Sequence, residues 1–378
     1  MTLYFDCNAT TPVDSRVIDA MIHALQHEVG NAGSTHALGR RAKDMVHKAR
    51  DQVGAVVNAR RHEIIFTSGA TEANNLAILG LAAFGMQNKR QHIVSSAIEH
   101  KAVLEPLSQL EKQGFEITLV PVDGSGRIDA EKLLREVRED TLLVSLMHAN
   151  NETGVLQPIT EVATGLAGHQ TYLHVDAAQG FGKEIEPLKH PRIDLISISG
   201  HKIYGPQGIG ALVTRRRHFQ LPPLQPLQWG GGQELGFRPG TLPVHLIVGL
   251  GVAAELALAE HEIRAQRCLE IRQQVLSGLQ SLDVGLIGDQ NFVQPHVANF
   301  AMADWTADQI LEAWDDEIAV SDGSACTMIC DTVSHVLAAM GLQQDELESA
   351  IRLSWYHDSP VPDFAKLIAK LAAAAPGT

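Results

Sequence analysis

The sequence predicts an α/β fold: a large domain with a mostly parallel sheet and helices on both faces, plus a smaller α+β domain. Three observations predict it. Short apolar, β-branched runs alternate with longer amphipathic stretches from residue 60 to about residue 215, the pattern of strands buried on both faces and joined by helices. A turn-rich stretch at 221–243, which holds the triple glycine at 230–232, then interrupts the alternation. Beyond it, a long amphipathic helix over about 244–282 leads into a mixture of short strands and helices.

In chain order, residues 1–15 read as extended and turn-like, and Asp14 caps a first helix running to Val29. Strands are expected at 63–67, 92–95, 117–121, 142–147, 172–175, 195–199 and 211–214. Helices are expected between them at 70–83, 102–113, 130–137 and 159–167. Apolar runs at 297–301, 310–314, 318–320 and 351–355 supply the second part, and the alanine-rich tail at 371–375 reads as a fraying helix end. A length of 378 residues suits two domains. The expected division is 1–15 as an N-terminal arm of the small domain, 16–255 as the large domain and 256–378 as the small C-terminal domain.

A net charge of −14 disfavours binding to a phosphate backbone, so no direct nucleic-acid binding is expected. No unbroken run of about 18 apolar residues predicts a membrane span. The first residues carry no basic segment or cleavage signature, which predicts a cytoplasmic location. The four cysteines match neither a zinc spacing nor a disulfide framework. His23 and His27 lie one helical turn apart, but without a carboxylate partner or an HExxH pattern no metal site is expected.

The segment SISGHKIYGP at 197–206 ends a strand in small polar residues and delivers Lys202 into a Gly/Pro turn. A lysine becomes a Schiff-base nucleophile when it is partly desolvated, and the carboxyl end of a strand beneath loops supplies that. Ser199 and His201 beside it suit a bound phosphate, although a single lysine is more often a solvated surface group. HVDAAQ at 174–179 ends another strand with Asp176, either a helix cap or the carboxylate that pyridoxal 5'-phosphate (PLP) needs beside its ring nitrogen. A third loop, TSGATEANN at 67–75, opens a helix whose N–H groups and Thr71 hydroxyl suit an anion. It has neither the lysine of a P-loop nor a dinucleotide fingerprint.

Further segments stand in one order along nearly the whole chain: DCNATTP at 6–12, EHKAV at 99–103, HANNETG at 148–154, GGGQE at 230–234, RPGT at 238–241, GSACT at 323–327 and IRLS at 351–354. With them the chain resembles the cysteine desulfurases, in the class V aminotransferase branch of the fold type I PLP enzymes. The resemblance implies that Lys202 carries PLP covalently and that Asp176 pairs with the pyridinium nitrogen. Gln179 would bond the ring oxygen, and His100 would stack on the ring and carry protons. Ala70, Thr71, Ser199 and His201 would hold the phosphate, joined by Thr241 from the other subunit of a homodimer. Asn151 and Arg352 would bind the carboxylate of L-cysteine, and Cys326 would take its sulfur as a persulfide. A persulfide-accepting protein, serving iron–sulfur assembly, tRNA thiolation or DNA phosphorothioation, would collect it.

Three departures from the family pattern bear on the site. Cys7 stands where the family commonly has asparagine, so a second thiol is expected near the site mouth. Cys330 lies four residues past Cys326, either as a packing residue or as a partner that resolves a persulfide. Trp355, Tyr356, His357 and Asp358 replace a commoner Gly-Arg pattern. A selenocysteine lyase, a class V aminotransferase and a non-catalytic PLP-fold scaffold remain alternatives, and Cys326 discriminates because transamination needs no thiol there.

Overall fold

The computed structural model describes residues 2–217, 219–322 and 334–374. A two-residue strand, β1 (Leu3–Tyr4), is followed by one large sheet of β2 (Ile64–Thr67), β3 (His92–Ser96), β4 (Glu116–Val120), β5 (Thr141–Met147), β6 (Tyr172–Asp176), β7 (Leu195–Ser199) and β8 (Gly210–Thr214). The spatial order is β2-β8-β7-β6-β5-β3-β4. Strands β3 to β7 pair in parallel, and β8 runs antiparallel to both β2 and β7. Every residue of β5, β7 and β8 is buried, which is why these strands read as mostly apolar runs broken only by small hydroxyl residues.

Helix α1 (Ser15–His27) starts where expected, with the Asp14 carboxylate accepting the Arg16 N–H at 3.0 Å. Helix α2 (Ala37–Val56) was not anticipated; it buries Gly39, Ala42, Val46, Ala49, Val53 and Val56, a repeat of three and four residues. The single helix expected over 70–83 is instead α3 (Ala70–Leu79) and α4 (Ala82–Gln87). The break has a cause: the Gly80 carbonyl accepts the Gln225 N–H at 2.8 Å, and a Cβ on Gly80 would stand 3.1 Å from the Gln225 carbonyl oxygen. The turn-rich segment crosses the helix there. Helices α5 (Lys101–Glu111), α6 (Ala130–Arg135) and α7 (Ile159–Gly165) complete the crossovers, each ending two residues short of its expected limit.

Helix α8 (Val244–Leu279) is the spine of the molecule, roughly 54 Å long at 1.5 Å per residue. By length and composition, with a mean hydropathy of 1.4 over its most apolar 18 residues, the helical stretch it begins meets the requirement for crossing a membrane. Its Ile247, Leu250, Ala253 and Ala254 instead pack into the core beneath the large sheet, where α8 meets α1 and α2. Further along, Cys268, Ile271, Val275 and Leu279 join a second core with Phe300, Trp314, Ile351 and Trp355.

The elements beyond α8 are β9 (Val284–Leu286), β10 (Val297–Met302), α9 (Ala307–Trp314), β11 (Ile318–Ala319), α10 (His335–Ala339), α11 (Gln344–Ser349), β12 (Ile351–Ser354) and α12 (Phe364–Ala374). Strands β10, β11 and β12 with α9 and α12 build the second core, whereas Val336 and Leu337 of α10 pack in a separate cluster with Ile98 and Met147. Strands β12-β10-β9 form an antiparallel sheet. Strand β1 pairs in parallel with β11, so the first residues of the chain join its last third. Of the unusual 355–358 segment, Trp355 is buried, Tyr356 and His357 are half-buried and Asp358 is exposed. Trp355 Nε1 donates to the Cys268 carbonyl at 3.1 Å, and the His357 ring meets Tyr204 edge-on at 5.1 Å between centroids.

Candidate active site

The loops that follow the carboxyl ends of β2, β3, β5, β6 and β7 converge with residues 8–9 and Arg352 of β12 around a cavity of about 530 Å³. This is the position where open α/β sheets gather their ligands. Ala70, Thr71, His100, Asn151, Asp176, Gln179, Ser199, His201, Lys202 and Arg352 all line it. Thr241 does not: it is exposed and outside the cavity of its own chain. Cys326 and Cys330 lie outside the described residues.

Lys202 follows β7 by three residues, and its Nζ donates to the carbonyls of Asn8 and Ala9, the latter at 2.8 Å. Asp176 ends β6. Its Oδ1 accepts the Ala178 N–H at 3.0 Å, and its Oδ2 accepts Asn74 Nδ2 at 2.7 Å. Both oxygens are therefore fixed, the second by a residue from the first turns of α3. Gln179 Nε2 donates to the Asn8 carbonyl at 2.9 Å, which ties the β6 loop to the N-terminal arm.

The phosphate-suited side of the cavity is formed by the start of α3, Ser199 and His201. His201 Nδ1 lies 3.1 Å from Thr10 Oγ1, and burial together with Lys202 and Lys183 pushes its imidazole down to about 4. At neutral pH it is uncharged and offers an N–H rather than a cation. Arg238 of the RPGT segment donates to Glu72 of α3 at 2.9 Å. Glu234 of the GGGQE segment pairs with Arg50 and accepts the Phe66 N–H at 2.7 Å, so both motifs hold the end of β2 and the start of α3 in place.

His100 caps α5: its Nδ1 accepts the Ala102 N–H at 3.0 Å, which leaves the proton of the neutral ring on Nε2. Glu99 before it is fully buried, takes Ser96 Oγ at 2.5 Å and the Met147 N–H at 3.0 Å, and is pushed by burial up to about 8. It is therefore largely protonated at neutral pH.

Arg352 is buried, with Nη1 donating to the Asn151 carbonyl at 2.9 Å and Nη2 to Asp6 Oδ1 at 2.5 Å. Asp6 aims this guanidinium, and no local pattern in the sequence marks it as the partner. The remaining Nη hydrogens form the fork that a carboxylate can take.

The structure corrects the expectation for Cys7. Its N–H bonds the Ser354 carbonyl at 3.0 Å, and the chain turns here, with the Ala9 N–H returning to the Asp6 carbonyl at 3.0 Å, so that Asn8 lines the cavity and Cys7 does not. Cys7 is 1% exposed, and burial pushes its thiol up to about 12. It is a core residue and not a thiol at the mouth.

The residues present fit PLP. Asn8 Oδ1, Asn74 Oδ1 and Gln179 Oε1 belong to lining residues and are buried without a hydrogen-bond partner among the described residues, as expected of groups that serve a ligand. A cavity with a lysine amine, a fixed carboxylate and a helix start flanked by hydroxyl and imidazole matches an aldehyde, a ring nitrogen and a phosphate on one molecule.

Comparison with known proteins gives the same direction. The chain matches the family model described as Aminotransferase class-V over residues 3–367. A protein of Homo sapiens named cysteine desulfurase is 44% identical over 353 residues, 93% of this chain and 76% of that protein. The crystal structure of DndA from Streptomyces lividans is 49% identical and superposes with a TM-score of 0.82, covering 92% of this chain and 98% of that one. SspA in complex with cysteine, 34% identical, also gives a TM-score of 0.82, over 96% of this chain and 100% of that one.

Proposed function

Since the chain belongs to the aminotransferase class-V family and, within it, to the cysteine desulfurases, we propose that L-cysteine loses its sulfur in the cavity over the large sheet, with Lys202, His100 and Cys326 as the catalytic residues. The enzyme converts L-cysteine to L-alanine and passes the sulfur on as a persulfide, and its family implies PLP as the cofactor. The observation that carries the assignment of residues is the convergence of Lys202, Asp176 and Arg352 on one cavity.

PLP bound there supplies an electron sink for the charge that develops at the substrate Cα. Lys202 would hold it covalently, and the Lys202 amine is the base for the Cα proton. Asp176, aligned by Asn74 and the Ala178 N–H, keeps a proton on the ring nitrogen. Arg352 and Asn151 bind the substrate carboxylate and so set which bonds at Cα face the lysine. His100 Nε2 carries protons to and from the thiols. The Cys326 thiolate attacks the substrate sulfur; the S–S bond forms as the Cβ–S bond breaks, and a proton completes alanine. Cysteine plus one enzyme thiol thus gives alanine plus one enzyme persulfide.

The rest of the reading is that a second copy of the chain contributes Thr241 to the phosphate side, and that an acceptor protein collects the persulfide. The exposure of Thr241 outside its own cavity supports the first part. A cytoplasmic setting suits the free thiols of Cys7 and Cys268. Replacing Lys202→Ala tests the site: the purified variant should lose both the visible absorbance of the bound cofactor and alanine formation. A variant that keeps covalently attached cofactor and turnover overturns the assignment.

A further inference from the structure

Strand β3 pairs with β4 over its whole length, but with β5 only as far as Val94, opposite Val144. Beyond that point the chain stays with β4, the Ala97 N–H donating to the Val120 carbonyl at 3.1 Å, and the ladder between β3 and β5 opens. Strand β5 runs on beside β6, where Met147 pairs with Asp176 and the His148 N–H donates to the Asp176 carbonyl at 2.8 Å. Successive N–H groups of a strand point to opposite sides, so the Met147 N–H faces the side from which β3 has withdrawn.

Side chains bridge the opening. Ser95 Oγ donates to the Ser145 carbonyl at 2.9 Å, Asn150 Nδ2 donates to the Ile98 carbonyl at 3.2 Å, and Glu99 Oε1 accepts the Met147 N–H at 3.0 Å. A buried N–H without an acceptor is costly, so Met147 needs a partner once the ladder has ended. The Glu99 bridge is the one that stands at the site. Met147 at one end lines the cavity, and so does His100, the residue after Glu99 and the cap of α5. Glu99 is 0% exposed, and Asp176 is near enough to add to the upward push that burial gives its carboxyl. Packing alone would be served better by an apolar side chain of that size. The second bond of Oε1, from Ser96 Oγ at 2.5 Å, stays within the same loop and orients the carboxyl.

We propose that Glu99 is a positioning residue for His100: by tying the start of α5 to the end of β5, it sets the separation between the imidazole and Asp176 on the next strand. The proposal rests on the reading that His100 stacks on the cofactor ring and carries protons. Its effect falls on proton transfer and on the surroundings of the ring, and not on the binding of the substrate carboxylate.

The holoenzyme tests it with Glu99→Leu, His100→Ala and the double variant, read both from alanine formation and from the visible absorbance of the bound cofactor without cysteine. Glu99→Leu should lower kcat about tenfold and move KM by no more than about twofold, and adding it to His100→Ala should cost nothing further. It should also move the absorbance maximum in the same direction as His100→Ala. Glu99→Gln, which keeps the acceptor oxygen, should retain most of the rate and the wild-type absorbance. Glu99→Asp shortens the reach to Met147 by one carbon; it should show both changes in smaller measure, and it carries the test if Glu99→Leu does not fold. Wild-type kcat and absorbance in the folded Leu or Asp variant, losses that multiply in the double variant, or a Glu99→Gln enzyme as slow as Glu99→Leu overturns the proposal. A wild-type kcat in His100→Ala removes the reading of His100 and the proposal with it, whereas a slow His100→Ala beside an unaffected Glu99→Leu removes the proposal alone.

Discussion

Asn74 Nδ2 donates to Asp176 Oδ2 at 2.7 Å across 102 residues of sequence, so the acid at the end of β6 is aimed by a side chain from α3. A carboxylate that must face a ring nitrogen is useful in one orientation only, and the Ala178 N–H on Oδ1 fixes the other half. Asn74→Leu keeps the volume and removes the donor. It should lower kcat about tenfold or more with a much smaller change in KM, read from alanine formation against cysteine concentration. An unchanged kcat would show that Asp176 is oriented without Asn74.

Under the proposed function, substrate binding depends on Arg352. Arg352→Lys retains the charge and loses the planar fork, so KM for cysteine should rise by at least about tenfold. Asp6→Asn, which removes the charge that aims the guanidinium, should move KM in the same direction by a smaller factor. Equal KM values in the wild type and Arg352→Lys would place the carboxylate elsewhere.

Cys7 should be dispensable. Its thiol is buried and pushed up to about 12, far from the thiolate that reactive cysteines present. Cys7→Ala should leave kcat within about twofold of wild type. In the folded enzyme, alkylation mapped by peptide mass should not modify Cys7 or Cys268. Rapid alkylation of Cys7 would contradict the burial described here.

Glu99 makes stability depend on pH. Its carboxyl, pushed by burial from 4.5 up to about 8, binds a proton in the folded state that the unfolded chain releases between those values. Its contribution to stability is therefore fully present below about pH 4.5 and is lost as pH rises through about 8. Glu99→Gln keeps the acceptor used by Ser96 and Met147, while Oε2 has no hydrogen-bond partner among the described residues. The Tm of Glu99→Gln relative to wild type should climb between about pH 5 and pH 8, by an amount equivalent to more than ~1 kcal/mol. A pH-independent difference would mean that Glu99 is ionised in the folded protein.

The large sheet was legible in the sequence because strands buried on both faces are mostly apolar, and the expected bounds of β5 and β7 differ from the observed ones by one residue or none. Helix α2 was not legible, because its buried face is made largely of Gly39, Ala42 and Ala49, whose side chains carry little hydrophobic signal. The break at Gly80 depends on Gln225, a contact that no local pattern announces. Within the site, Lys202 and Asp176 could be read from strand ends and from the family resemblance. Asn74 and Asp6 could not, since each acts through a partner 102 or 346 residues away. The expectation for Cys7 failed because the turn at residues 6–9 faces Asn8 to the cavity and Cys7 to the core, which the sequence position alone does not tell.

The most direct test of the whole account is alanine formation by Cys326→Ser holoenzyme, with single-turnover peptide mass analysis of the wild type beside it. The wild-type peptide containing Cys326 should gain one sulfur atom as alanine appears, and the variant should bind cysteine, keep its cofactor and release no alanine. Alanine release at the wild-type rate from Cys326→Ser, with no added sulfur on the wild-type Cys326 peptide, would contradict it.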